Sequence, residues 1–116
     1  MRAGELAFIG ALVHAHRWFL GLLQEHLDFY DGLLPHLLLA DVERWAEAAL
    51  ADGSEGSLQR LAAVLAFLEQ GMLGGAEAKE LISVSFLEHL PRPGVPGSEL
   101  RSLVGPACIA QLSIIG

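Results

Sequence analysis

From Glu5 to Tyr30 the chain places apolar side chains on almost every face a helix could present. On a wheel of roughly 100° per residue, Gly10, His14, Arg17, Gly21, Gln24, Glu25 and Asp28 gather on one narrow strip. The remaining arc, roughly two-thirds of the circumference, holds Phe8, Leu12, Trp18, Phe19, Leu22 and Leu27 among others. A surface helix needs an apolar stripe of only about 100°. The pattern therefore predicts one long central helix over residues 5–30, covered from at least two sides by other helices or by a second chain.

Asp31-Gly32 suits the end of that helix, because glycine tolerates left-handed backbone. Leu33 to Leu39 is too apolar for a solvent loop and is expected to cross the first helix as an extended or single-turn segment, with Pro35 able to open a short helix. Asp41 then reads as the N-cap of a second helix, with Val42, Trp45, Ala46, Ala49 and Leu50 as its buried row. Glu43, Arg44, Glu47 and Asp52 fall on the other side, and Gly53 ends the helix. A third helix starts between Ser54 and Ser57, with Leu58, Leu61, Leu65, Leu68 and Met72 in its stripe and Glu69 inside it. Gly74-Gly75 permits a reversal into a fourth helix, from Ala76 to Leu90, which Pro91 stops.

Pro91 to Gly97 is a stiff linker with three prolines. Ser98 is expected to cap a short helical turn through Val104, and Gly105-Pro106 to start a last apolar segment, Ala107 to Ile115. No stretch alternates in the manner of a strand. The expectation is an all-α fold: a compact bundle of five to six helices with antiparallel hairpins and no sheet, in one domain over residues 1–116.

Composition narrows the partners. The formal charge is -7, and the seven Lys and Arg residues form no stripe, so contacts to a phosphate backbone have little to rest on. Mean hydropathy is high, at +0.45, yet Glu5, His14, His16, Arg17 and Pro106 interrupt every apolar run before the ~20 residues that a bilayer requires. Arg2 before an apolar run faintly imitates a signal peptide, but the run contains Glu5 and two histidines and has no small-residue cleavage site. These features point to a mature cytoplasmic protein with neither nucleic acid nor membrane as partner. The single cysteine, Cys108, excludes an internal disulfide and a cysteine-based zinc site, and its apolar setting marks a structural thiol.

Four residues interrupt apolar surroundings: His26, His36, Glu69 and Glu88. A buried polar group without a partner costs about 1–3 kcal/mol, so these are expected to form structural polar contacts between helices. His26 needs a partner most, and Glu69, Glu88 or a main-chain carbonyl are the candidates. No HExxH, di-iron ExxH or phosphate-loop motif occurs, and His14 and His16 are too far apart around a helix to share an ion. Ser85 and His89 lie one turn apart, but no third orienting group or nucleophile elbow accompanies them. No catalytic, cofactor or metal residue is therefore assigned. Trp18 and Trp45 fall at core positions. Glu43, Glu47 and Asp52 form the best candidate acidic surface for a partner, with Glu77 and Glu80 next.

Leu34-Pro35-His36, Asp41 opening a helix, Ser85-Phe86-Leu87-Glu88-x-Leu90 and Gly105-Pro106 together resemble a family of small all-helical bacterial proteins catalogued as a domain of unknown function. The resemblance runs from about Leu12 onward. It implies an all-α fold, a bacterial cytoplasmic setting and, through small stand-alone relatives, an immunity- or antitoxin-like binding role with no catalytic residues. The leading expectation is a non-enzymatic interaction module that meets a basic protein through its acidic surface. The alternatives are a homodimeric structural or regulatory protein, and a small-molecule- or metal-binding bundle that uses His26, His36, Glu69 and Glu88.

Overall fold

The computed structural model describes residues 2–115. Among them are seven α-helices, two 3-10 turns and no strand. The all-α expectation holds, and the helix count exceeds five to six because the first long helix is two.

α1 spans Ala3–Ala15. Its first turn is closed by Glu5, whose carboxylate accepts the Arg2 main-chain N–H at 3.1 Å and places negative charge at the positive end of the helix. α1 stops at His16, which leaves helical angles at φ -130°, ψ 74°. The His16 main-chain N–H and its ring Nδ1 both reach the Leu12 carbonyl, each at 3.0 Å. The ring stands edge-on to Phe67 at 5.3 Å and lies close to Trp18 and Phe19. A 3-10 turn, Arg17–Phe19, leads into α2, Leu20–Tyr30, and the two halves of the stretch are bent by 112°. The expected central helix over 5–30 is therefore a bent pair, and α2, whose only buried residue is His26, is peripheral.

α3 spans Pro35–Asp52 and is the element most others touch. Pro35 holds Leu34 extended, at φ -119°, ψ 96°, and itself occupies the first turn, where its missing N–H costs nothing. Most of the apolar run expected to lie across the first helix, Pro35 to Leu39, opens α3, and Leu33 and Leu34 precede it. Asp41 is accordingly an interior residue and not a cap. Leu38, Val42, Ala46 and Ala49 make the buried row, with Leu39 beside it, and Gly53 ends the helix at φ 67°.

α4 spans Glu55–Met72, and its N-cap is Ser54, whose hydroxyl accepts the Ser57 N–H at 3.3 Å. Leu61, Val64, Leu65, Leu68 and Met72 are buried, whereas Leu58 is exposed. α4 passes α1 closely: a Cβ on Gly71 would sit 2.6 Å from the Phe8 ring and 2.7 Å from Ile82. α5, Ala76–Ser85, is five residues shorter than expected. Phe86 turns out of the helix at φ -116°, ψ -60°, and a 3-10 turn, Leu87–His89, follows. This tighter path lets Phe86, Leu87 and Leu90 all enter the core.

Residues 91–97 form a chain of turns, with Val95 N–H bonded to the Arg92 carbonyl at 3.0 Å. α6, Leu100–Leu103, follows Glu99 rather than a Ser98 cap, and α7 spans Pro106–Ile115. The buried apolar side chains make one cluster, built on α1, α3, α4 and α5 and closed by Leu100, Val104 and Cys108. Among the described residues, no single helix is long and apolar enough to cross a membrane.

Candidate functional site

His26 is buried on α2 and its two ring nitrogens have distinct tasks. Nε2 accepts the Leu34 N–H at 3.0 Å, so the proton lies on Nδ1, which donates to the Asp41 carboxylate at 3.3 Å. The expected partners were Glu69, Glu88 or a main-chain carbonyl. The actual ones are an aspartate and a main-chain N–H, which together tie α2 to the start of α3. Asp41 escapes a sequence reading because its type suits a cap so well. It also pairs with Arg44. A cleft of about 590 Å³ opens beside this contact, between Phe29, Tyr30 and Trp45.

His36 stands on the first turn of α3 with half its ring exposed. Its Nε2 lies 3.2 Å from the Glu5 carboxylate, and its Nδ1 hydrogen-bonds the Ser85 hydroxyl. Burial opposes charge on Glu5, but hydrogen bonds from the Arg2 N–H and guanidinium outweigh it and hold the carboxyl below its ordinary range. The Ser85–His89 pairing is thus replaced: Ser85 pairs with His36, His89 is exposed, and Glu5 supplies the third group. Serine, histidine and glutamate in sequence have the composition of a hydrolytic relay. Ser85, however, is only 2% exposed, so its hydroxyl has no open path to an acyl group. The relay ties α1, α3 and α5 together.

Glu69 reaches from α4 to the start of α7, where its two oxygens accept the N–H groups of Ala107 at 2.8 Å and Cys108 at 3.1 Å. The carboxylate is a cap supplied from another helix. Burial works against its charge, and the two N–H donors overcome that, leaving its pKa below the ordinary value. The neighbouring Cys108 thiol is pushed up to about 12, first by burial and then by the adjacent Glu69. Such a thiol is unreactive at neutral pH, in keeping with a structural role. Glu88 does not make the expected buried contact. Because α5 ends early, its side chain is carried outward, to a shallow cleft shared with Arg92 and Arg101. His26, His36 and Glu69 thus serve three separate contacts, and no three His, Cys, Asp or Glu side chains converge to hold a metal ion among the described residues.

The acidic trio on α3 is not one exposed face. Asp52 is exposed but occupied, accepting the Ser54 and Ser57 hydroxyls at the α3–α4 junction. Glu43 is only 3% exposed. Burial, then the hydrogen bond and negative charge of Glu47, push its pKa up to about 8, and its Oε2 meets no hydrogen-bond partner. Burial without a donor on Oε2 thus favours the neutral form of the Glu43 carboxyl. On the helix wheel Glu43 flanks the buried row, within about 60° of Leu39 and Ala46, and is not on a solvent face opposite it. Glu47 borders a cleft of about 600 Å³ that Pro96, Gly97 and Glu99 close from the other side.

A mostly apolar opening lies in the angle between α1 and α2. Leu6, Ile9, Val13, Leu20, Leu23 and Leu27 line a groove of about 400 Å³, with His14 and Arg17 at its edge. Leu6 and Leu20 are about half exposed, at 53% and 49%. Trp18, in the 3-10 turn, and Trp45 on α3 lie 4.7 Å apart, and Arg60 lies over Trp18 at 5.3 Å. No family model, curated protein or solved structure matches this chain.

Proposed function

We propose that this chain is a non-enzymatic protein-interaction module whose docking face is the apolar groove between α1 and α2. The observation that carries the reading is the exposure of Leu6 and Leu20 beside a leucine-lined opening. A contiguous apolar surface with a polar edge is what a partner helix or loop covers. The buried Ser85 argues for a structural use of the one group of residues with catalytic composition. A net charge of -7 favours a basic partner through long-range steering, while the groove supplies the contact. Small size, acidity and the resemblance in residues 34–41, 85–90 and 105–106 fit an immunity- or antitoxin-like protein of a bacterial cytoplasm.

Homodimerisation is the second reading, because a second copy can cover the same groove and because Ile109 and Ile114 on α7 are also exposed. The test is a Leu6→Glu, Leu20→Glu double variant, compared with the intact chain by light scattering and by affinity capture. Loss of a captured partner with an unchanged monomeric mass supports the first reading. A wild-type dimer that the variant converts to monomer supports the second. Unchanged capture and mass in a folded variant would remove the groove from both.

A further inference from the structure

The cleft of about 590 Å³ between α2 and α3 shares no lining residue with the apolar groove, and aromatic rings form its walls. Its position follows from the contact between His26 and Asp41. Residues four apart lie on one helix face, so that contact brings Tyr30 and Trp45, each four residues further on, to the two walls. The Tyr30 ring lies 4.8 Å from the His26 ring, and Phe29 stands edge-on to Tyr30 at 4.8 Å, with 76° between their planes. Trp45 is steadied by Trp18 at 4.7 Å and Phe19 at 5.1 Å. Phe29 is 81% exposed, so core packing does not account for an aromatic ring at the mouth of this cleft.

The polar groups of the cleft are nearly all engaged. One Asp41 oxygen accepts the His26 Nδ1–H at 3.3 Å, the other pairs with Arg44, and His26 Nε2 accepts the Leu34 N–H. Asp41 and Arg44 offset one another. The excess charge is Glu25, exposed on the lining and in none of the ion pairs among the described residues. A ligand here meets electron-rich rings and one unpaired carboxylate, but few free acceptors. A primary ammonium or a guanidinium would bring N–H donors that the cleft leaves unsatisfied. A fully methylated ammonium has no such donors, and aromatic rings are the surface that stabilises it.

We propose that this cleft binds a small quaternary ammonium compound, its methylated nitrogen held among Phe29, Tyr30 and Trp45 with Glu25 opposing its charge. The volume suits a free molecule of this class. Binding is reversible and no covalent bond changes. The site does not depend on the docking face between α1 and α2, so the two stand or fall separately.

The probes are choline, its uncharged carbon isostere neohexyl alcohol, and ethanolamine, each titrated into the full chain and followed by NMR. Choline should give saturable shifts centred on Phe29, Tyr30 and Trp45. It should bind ~10-fold or more tighter than neohexyl alcohol, which has the same shape without the charge. Ethanolamine, with its N–H donors, should bind ~5-fold or more weaker than choline. Phe29→Leu, at an exposed position that leaves thermal unfolding unchanged, should weaken choline by ~3-fold or more. Glu25→Gln should weaken choline by ~2-fold or more and leave neohexyl alcohol unaffected. A pentapeptide with a central trimethyl-lysine that binds more than ~10-fold tighter than choline overturns the assignment to a free small molecule. No saturable choline shifts, shifts that fall on Leu6 and Leu20 instead, an isostere that binds as well as choline, or unchanged choline affinity in Phe29→Leu overturns the proposal.

Discussion

Glu69→Gln removes the negative charge that begins α7 while keeping the size of the side chain. In the folded protein the carboxylate accepts two N–H groups, from Ala107 and Cys108, at 2.8 and 3.1 Å. A hydrogen bond to a charged group contributes about 1.5–3 kcal/mol, and charge at a helix N-terminus about 0.3–1 kcal/mol. Glutamine keeps one oxygen that can accept an N–H, but turns an NH2 toward the other donor. It also relieves the cost of burying a carboxylate. The net loss, on a half-buried group, should be about 1–2 kcal/mol. Urea unfolding measures it as a lower midpoint with an unchanged slope. Because the folded pKa of Glu69 is depressed, its contribution is complete above the unfolded value and is lost as pH falls through the folded value. The gap between wild type and variant should therefore be widest near neutrality and narrow in acid. A second variant sharpens the test. A Cβ on Gly105 would stand 2.5 Å from the Glu69 carboxyl carbon, so Gly105→Ala acts largely by displacing the same cap. The two substitutions should be non-additive by about 0.5–1 kcal/mol or more. A midpoint shift worth less than about 0.3 kcal/mol, or strict additivity with Gly105→Ala, would refute the assignment of Glu69 as the cap.

Three further outcomes follow from the contacts. His26→Ala should cost about 2–4 kcal/mol in urea unfolding, since it leaves the Leu34 N–H and Asp41 without their imidazole partner and opens a space on α2; an effect under about 1 kcal/mol would contradict a satisfied buried ring. Gly71→Ala should destabilise by about 1–3 kcal/mol through overpacking against Phe8 and Ile82, and Phe8→Leu in the same chain should recover part of the loss, whereas a stabilised Gly71→Ala would contradict the close approach. For Glu43, the folded pKa lies near 8, above its ordinary 4.5, so the folded state binds the extra proton between those values. Wild-type stability should fall with rising pH across that window, and thermal unfolding of Glu43→Gln should lack that slope; parallel pH profiles for the two would count against the neutral acid.

Where a local rule acts alone, sequence and structure agree. Ser54 caps α4, Pro35 sits in a first turn, Gly53 ends α3 and Pro106 starts α7, because each depends on the residue's own backbone preferences. Period alone gives Val42, Ala46 and Ala49 on α3 and Leu61, Leu65, Leu68 and Met72 on α4, but it also included Leu58, which is exposed, and missed Leu38. The errors arise where the period is uninformative. A stretch apolar on nearly all sides gives no sign of a break, so the turn at His16 is visible only through the aromatic rings that receive it, and those come from residues up to Phe67. Phe86 leaves α5 for a similar reason: Phe86 and Leu87 are adjacent and both enter the core. That early ending displaces Glu88, and the late start assigned to α3 mistook Asp41 for a cap. His26, His36 and Glu69 were therefore legible as residues that needed partners, though not as pairs, and Glu88 was misjudged. Their partners, Glu5, Asp41, Ser85 and the α7 amides, are chosen by packing between helices distant in sequence.

The turn at His16 also bears on how the chain is handled as it emerges from a ribosome. Taken together, α1 and α2 have the length and composition of a bilayer span, but the pair is bent by 112°. Straightened, the 13 and 11 residues of the two helices and the turn between them would exceed the ~30 Å hydrocarbon thickness; apart, the helices are about 20 and 17 Å long, and each falls short. The bend is held by one imidazole, on the Leu12 carbonyl and among its aromatic neighbours. Phe67 joins them only after about fifty more residues have been synthesised. Until then the bend has only its local contacts, the His16 ring on the Leu12 carbonyl and beside Trp18 and Phe19.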